Sequence, residues 1–235
     1  MIKAITFDFW NTLYKIPSDK CLSSIRIQNL DTILQEAGLK FSPEEIRAAF
    51  KHSWQKAWYQ QRAYGEEITP RGHVTDILEK LGVGPRTADI EDSAYLAYTR
   101  ALLELPPVVN EGVLETLPLL AGKYKLAVIC NTGATPGVIL RELVKKDGLY
   151  DYFGFMVFSD EVGFAKPSIK IFNYTLKHLG IVSSDAAHIG DDAITDVIGA
   201  KKAGMTAVWL APGEKWAVPE ADFHVQNVNE LIRLF

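Results

Sequence analysis

A chain of 235 residues, 48% hydrophobic and 23% charged, has the composition of an ordinary globular domain, which excludes a disordered, fibrous or collagen-like protein. Its length allows one large domain or two modest ones, with a core that needs no covalent staples. A net charge of −4 argues against a broad basic face for nucleic acid while leaving room for a local anion pocket.

Residues 2–7 form a short apolar run closed by Asp8, the pattern of a buried strand. From residue 21 the periodicity turns helical, and helices are predicted over 22–37, 43–62, 70–81 and 85–103. Ser42-Pro43-Glu44-Glu45 supplies an N-cap, a proline at the first helical position and acid in the first turn. Gly38 and Gly82 stand where helices stop, and Pro106-Pro107 closes the stretch. Beyond it strands alternate with helices: helix 113–120, strand 125–130, helix 136–146, strand 153–158, helix 167–179, strand 186–189, helix 193–203 and strand 207–210. A short edge strand at 223–225 and a last helix at 229–235 complete the chain.

Such alternation predicts a parallel sheet covered on both faces. The strand at 2–7 must join that sheet, since it cannot bury itself alone, so the helical stretch is an insertion. The expected architecture is α/β: a Rossmann-like core of residues 1–13 and 108–235, with an all-α helical cap of residues 14–107 hinged at 14–19 and 105–109. Cys21 and Cys130 match no CxxC or zinc-ligand spacing and read as reduced thiols. No apolar run approaches the ~20 residues of a membrane span, and Asp8 interrupts the first run before a signal-peptide core forms. The expectation is a cytoplasmic protein with a small-molecule substrate, no membrane and no nucleic-acid partner. Oligomeric state stays open.

In an open parallel sheet, ligands bind beyond the carboxyl ends of the strands. Four polar segments fall there: residues 8–12, Asn131-Thr132-Gly133, Lys166, and Gly190-Asp191-Asp192 with Asp196. A carboxylate facing a dry pocket can attack phosphorus or carbon, which makes Asp8 a candidate nucleophile against the plainer reading of a turn cap. Were Asp191, Asp192 and Asp196 brought to Asp8, repulsion would protonate at least one of them. A divalent cation removes the conflict, and oxygen-only ligands favour Mg²⁺. Lys166 would hold Asp8 ionised and neutralise the transferred group. Thr12, Asn131 or Thr132 would donate to a bound anion, and Gly133 leaves space for a close backbone approach.

Taken in order, these segments resemble the haloacid dehalogenase superfamily of phosphohydrolases and dehalogenases. Phe7-Asp8-Phe9-Trp10-Asn11-Thr12-Leu13 is similar to the first motif, Gly163-Phe164-Ala165-Lys166-Pro167 to the third, and the run from His188 to Asp196 to the fourth. The resemblance implies that Asp8 is the nucleophile. It also implies that Asp8, the backbone carbonyl of Trp10 and Asp191 are Mg²⁺ ligands, with Asp192 or Asp196 a further ligand or an outer acceptor.

Two positions depart from the pattern. Trp10 stands where phosphatases of the superfamily carry a second aspartate that protonates the leaving alcohol; its dehalogenases carry an aromatic there. Cys130 replaces the serine or threonine that ends the second motif's strand. The acidic cluster outweighs Trp10, because buried charges without a counter-ion are costly, whereas a missing general acid slows turnover by about 10²–10⁴-fold. The expected activity is therefore Mg²⁺-dependent hydrolysis of a small phosphorylated metabolite through an aspartyl phosphate, with aryl and acyl phosphates cleaved far better than alkyl ones. The alternatives are a metal-independent 2-haloacid dehalogenase and a degenerate, low-activity binding protein. In the insertion, Lys15, Arg26, Lys51 and Arg62 read as solvated and most aromatic residues as helix packing, while His188 reads as a core residue with a partner.

Overall fold

Along β1 (Ala4–Phe7), Ile5 and Phe7 face one cluster of buried side chains while Ala4 faces another, the period-two burial of a strand covered on both faces. The computed structural model describes residues 1–84, 88–214 and 217–235; residues 85–87, within the helix expected over 85–103, lie outside the described residues. Next come a two-residue β2 (Tyr14–Lys15), β3 (Val108–Val109), β4 (Lys125–Cys130), β5 (Phe153–Phe158), β6 (Ala186–Gly190), β7 (Thr206–Leu210) and β8 (Phe223–Val225). Six of them build one parallel sheet in the order β5-β4-β1-β6-β7-β8. The chain builds outward from β1 on one side with β4 and β5, then on the other with β6, β7 and β8. The order therefore reverses at β1, which is the crevice where open α/β sheets bind ligands. The fold is the α/β, Rossmann-like one expected.

The insertion comprises α1 (Asp19–Glu36), α2 (Pro43–Tyr64), α3 (Pro70–Lys80) and α4 (Ala88–Glu104). Ser18, Ser42 and Thr69 cap three of these helices, and Ser42 forms a reciprocal capping box with Glu45. The helices bury a core of their own that includes Leu30, Leu34, Ile46, Phe50, Val74, Ile77 and Tyr98. Entry and exit are not separate loops: β2 and β3 pair antiparallel, Tyr14 with Val109 and Lys15 with Val108. Asn110 fastens this ribbon to the sheet, its amide donating to the Asn11 and Thr12 carbonyls at 2.9 and 3.2 Å.

Further contacts join insertion to sheet domain. The Ala165 amide donates to the Gly65 carbonyl (2.9 Å) and the Glu67 amide to that of Gly163 (3.4 Å). Gly65 has φ +66°, and a Cβ there would lie 2.4 Å from Ser168 Cβ, so the junction requires glycine.

Several expected helices differ. The one placed at 22–37 begins at Asp19, where Ser18 caps it, and the one placed at 229–235 is a 3-10 turn, Val228–Glu230, followed by a single turn, Leu231–Leu234. The one placed at 167–179 runs from Ile169 to Leu179 because Ser168, not Pro167, precedes it and caps it. The one placed at 193–203 opens as a wide turn, Ala193–Ile198, before a regular turn at Gly199–Lys202. The Asp192 side chain takes the Ile194 and Thr195 amides, and its carbonyl takes those of Asp196 and Val197. This extra residue per turn is the kind of local widening found at functional sites. Among the described residues, no helix is long and apolar enough to cross a membrane.

Candidate active site

Asp8 continues the ladder of β1, its amide donating to the Ile189 carbonyl at 2.8 Å. The chain then turns sharply, with the Phe9 carbonyl accepting from the Leu13 and Tyr14 amides at 3.0 and 2.9 Å. Asn11 takes φ +56° at the bend, a conformation asparagine tolerates better than most side chains. Phe9 stacks on Tyr14 with centroids 4.7 Å apart, so the turn is anchored in the core and presents the Asp8 carboxylate at the switch point.

Lys166 is 1% exposed, and its Nζ lies 2.5 Å from Asp8 Oδ1 and 2.6 Å from Asp196 Oδ1. Asp196 Oδ1 also meets His188 Nε2 at 3.1 Å, while His188 Nδ1 meets Thr6 Oγ1 at 2.8 Å. The tautomer that satisfies both donates from Nε2–H to Asp196 and accepts at Nδ1 from the threonine. Burial holds His188 below its ordinary pKa, despite the pull of Asp196.

Protonation within this cluster is decided by competition. Burial works against charge on Lys166, but the Asp196 and Asp8 carboxylates outweigh it and raise its pKa, so it stays an ammonium. Burial likewise opposes Asp196, yet Lys166 and His188 hold that carboxyl well below the usual range. Asp8 goes the other way: burial, with repulsion from Asp196 and Asp191, lifts it well above the usual range against the pull of Lys166. Asp191 is pushed up to about 6 by burial and the Asp196 charge, although the Asn11 amide donates to its Oδ2 at 3.1 Å.

Carboxylate oxygens of Asp8, Asp191 and Asp196 lie within 4.8 Å of one another. Three acids face one ammonium, so the site has an excess of negative charge that a cation would relieve. Among the described residues no hydrogen bond falls on Asp8 Oδ2 or Asp191 Oδ1. Both oxygens of Asp196 are occupied, by Lys166 and His188 on one side and the Asp192 amide on the other. Those of Asp192 are taken by its own turn and by Arg62. This oxygen-only donor set fits a hard dication, with Asp8 and Asp191 offering the open positions and Asp196 serving as the buried counter-charge of Lys166.

Other candidates fall in different roles. Asn131 does not point a free amide at the pocket: its Oδ1 accepts from the Lys166 amide (2.8 Å) and its Nδ2 donates to the Lys166 carbonyl (2.9 Å), clamping the lysine's main chain. Thr132 is turned to the short helix Ser159–Val162 that follows β5. Its amide donates to Ser159 Oγ at 2.9 Å and its hydroxyl lies 3.2 Å from the same oxygen. Thr12 is fully buried, and its hydroxyl has no partner among the described residues. Gly133 lies under Trp54, whose Cη2 would be 3.3 Å from an added Cβ.

Sequence reasoning gave no site role to Asn11, Ser159 or His188. The signal for His188 was present, a histidine in an apolar strand directly ahead of an acidic run. Two basic residues read as solvated are not: Arg26 is buried, and Arg62 pairs with Asp192 across the junction. Lys15 and Lys51 are exposed. Cys130 is buried, and burial raises its thiol well above the usual range, with Asp8 adding to the effect.

Comparison with known proteins gives first the class: the chain is a hydrolase. More narrowly, it belongs to the haloacid dehalogenase-like hydrolases, whose family description matches residues 2–204. It is 29% identical over 243 residues to the glyceraldehyde 3-phosphate phosphatase of Methanopyrus kandleri, covering 99% of this chain and 96% of that one. Among solved structures it is similar to a HAD phosphatase from Thermococcus onnurineus (TM-score 0.69, 26% identity, 99% and 97% of the two chains). It shares its fold with a 2-haloacid dehalogenase from Pseudomonas syringae (TM-score 0.75, 24% identity, 100% and 98%).

Proposed function

We propose that the protein is a Mg²⁺-dependent phosphatase of a small phosphorylated metabolite, working through an aspartyl phosphate on Asp8. The observation that carries this reading is the excess of carboxylates at the switch point, with Asp8 and Asp191 each keeping one oxygen free of hydrogen bonds from the described residues. Resemblance to phosphatases, by name in the relatives above, supports it. Asp8, Asp191 and the Trp10 carbonyl would hold the ion, which when bound neutralises carboxylate repulsion and polarises a phosphoryl oxygen.

This chain's own residues do the rest. Lys166 pulls Asp8 towards its charged form, against burial, and faces the charge of the transferred group. His188 and Asp196 fix the ammonium in place, and Asn131 fixes the main chain that carries it. Asp8 attacks phosphorus as the ester oxygen leaves; water then cleaves the acyl phosphate and restores the carboxylate. The helical insertion acts as the cap that excludes bulk water from the crevice. With Trp10 in place of a proton donor, the leaving group departs unassisted, which favours aryl and acyl phosphates.

Phenyl phosphate hydrolysis, with and without a chelator, tests the reading. Turnover should need Mg²⁺ and vanish in Asp8→Asn. Halide release from 2-chloropropionate that survives the chelator would instead establish the dehalogenase, and neither activity would leave a binding protein.

A further inference from the structure

A cavity of about 440 Å³ lies between the insertion and the loops that follow β1 and β4. Its floor is Trp10, Asn11 and residues 131–133. These segments adjoin Asp8 and clamp Lys166, so whatever fills the cavity sits beside the reacting phosphoryl group. Its walls are mainly carbon: Phe50, Trp54, Trp58 and Leu22. A flat ring placed there would meet rings.

Ser23, Gln61 and Thr135 add polar groups to the lining beside those of the floor, and two buried side chains, Arg26 and His73, complete it. Arg26 is 6% exposed; its Nη2 donates to Thr135 Oγ1 at 3.0 Å and its guanidinium lies 5.5 Å from the Tyr98 ring centre. His73 is 0% exposed, and its Nδ1 meets Ser53 Oγ at 2.8 Å. In the tautomer that lets the Ser53 hydroxyl donate to the His73 carbonyl (3.3 Å), Nδ1–H donates to Ser53 and Nε2 is a bare acceptor. No partner reaches Nε2 among the described residues. Burial pushes the His73 pKa down to about 4, with Arg26 adding to that and Asp76 opposing it. The ring is therefore neutral at physiological pH, and the cavity offers one strong donor and one strong acceptor among aromatic walls.

Resting on the phosphatase reading, we infer that this cavity receives the leaving group and that the substrates are aromatic phosphate monoesters whose ring carries a hydroxyl, which accepts from Arg26 and donates to His73 Nε2. The same chemistry explains Trp10. An Asp8 oxygen bonds to phosphorus while the bond from phosphorus to the phenolic oxygen breaks. The phenolate departs with that electron pair and is protonated by solvent, so no enzyme acid is needed. Water then attacks phosphorus, releasing inorganic phosphate and the Asp8 carboxylate.

Steady-state kinetics of the full chain in Mg²⁺ with acetyl phosphate, phenyl phosphate and 4-hydroxyphenyl phosphate test this. Acetyl phosphate has a good leaving group and no ring, so it reports the chemistry alone. Phenyl phosphate should show a KM at least tenfold below that of acetyl phosphate, and the para-hydroxyl should lower it several-fold more. Trp58→Ala, at a position 57% exposed and so safe for folding, should cut the ring's advantage at least fivefold. His73→Asn keeps a polar group towards Ser53 but lacks Nε2; it should erase only the hydroxyl increment. Lys51→Ala, on the exposed side of α2, should keep both preferences. Equal KM values for the ring-bearing and ring-free substrates, or preferences untouched by Trp58→Ala and His73→Asn, would overturn the assignment while leaving the phosphatase standing. If none of the three phosphates is hydrolysed, the phosphatase reading itself falls. Calorimetric titration with hydroquinone then still judges the cavity: binding weakened by His73→Asn supports it, and no binding sinks it.

Discussion

The two walls of the cleft handle buried charge in opposite ways. On the sheet side, Asp8, Lys166, Asp196 and His188 touch one another directly, and the protonation of each depends on the rest. On the helical side, charged and polar groups meet neutral company: Arg26 a hydroxyl and a ring, His73 a serine, Glu67 a glutamine amide. Arg62 alone in that group reaches across to an acid. A network of mutual charges fixes one geometry and tolerates no deletion, whereas groups held singly can be exchanged at modest cost. The sheet side is thus built for a reaction and the helical side for a choice of ligand.

Substitutions at Asp8 and Lys166 probe the first half of that contrast most severely. Asp8→Asn should abolish turnover, yet leave the protein at least as resistant to urea, because it removes one of the crowded like charges whose ionisation burial already disfavours. Lys166→Met should lose activity and also about 3–5 kcal/mol of stability, since it strands Asp196 as an uncompensated buried charge. Parallel urea titrations of the two variants check the pair. Equal losses of stability would mean that Asp8 is a structural partner of the lysine and not a strained, functional group.

On the helical side the largest expected effect is a pH dependence. The Glu67 carboxyl, from the segment after α2, is raised from 4.5 to about 7 by burial, with Asp160 adding and Ser159 and Gln61 pulling back. Between those pH values the folded chain holds a proton that the unfolded chain releases. This contribution to stability is therefore complete below pH 4.5 and is lost as the pH rises through 7. Relative to Glu67→Gln, the wild type should lose on the order of 2 kcal/mol between pH 5 and pH 8, partial exposure keeping the figure below that of a fully buried acid. Denaturation curves at both pH values measure the slope, and identical slopes for the two proteins would remove Glu67 from the junction's energetics.

The contrast also explains what could be read in advance. The sheet and the approach of residues 8 and 191 follow from rules that act locally: apolar runs of strand length, and polar residues where those runs end at a switch point. Lys166 stands ahead of a helix and not at a strand end, and only its resemblance to the family's third motif marks it. Burial of Arg26 follows from no local rule, since it depends on how α1 is set against residues 131–135 far along the chain. The β2–β3 ribbon is two residues long on each side, too short for any periodicity to show. The widening at Ala193–Ile198 arises because Asp192 takes two amides with its side chain, a competition between side chain and backbone that hydrophobic spacing does not record. Asn131 and Thr132 read as free donors because the strand end placed them near the site. Only the tertiary structure shows them spent on Lys166 and Ser159.

Arg62 gives the finest test, because among the described residues its ion pair is the one that crosses between the two walls. Its guanidinium pairs with Asp192, adjacent to Asp191, and lies 4.5 Å from the centre of the Trp58 ring. Both partners of the ion pair are partly exposed, at 21% and 34%, so the pair contributes about 0.2–1 kcal/mol and fades with salt. The stack on tryptophan adds roughly 0.5–1 kcal/mol and fades less. Arg62→Ala should thus cost about 1 kcal/mol at low ionic strength, and Arg62→Met, which keeps an apolar stem over Trp58, about half of that. Repeating both denaturation curves in 0.5 M salt, taken as roughly the range where surface pairs are screened, separates the contributions. If the deficit of Arg62→Ala vanishes there entirely, the junction is held by charge, as the sheet side is; if much of it persists, the junction is held by aromatic packing, and Arg62 belongs with the helical wall.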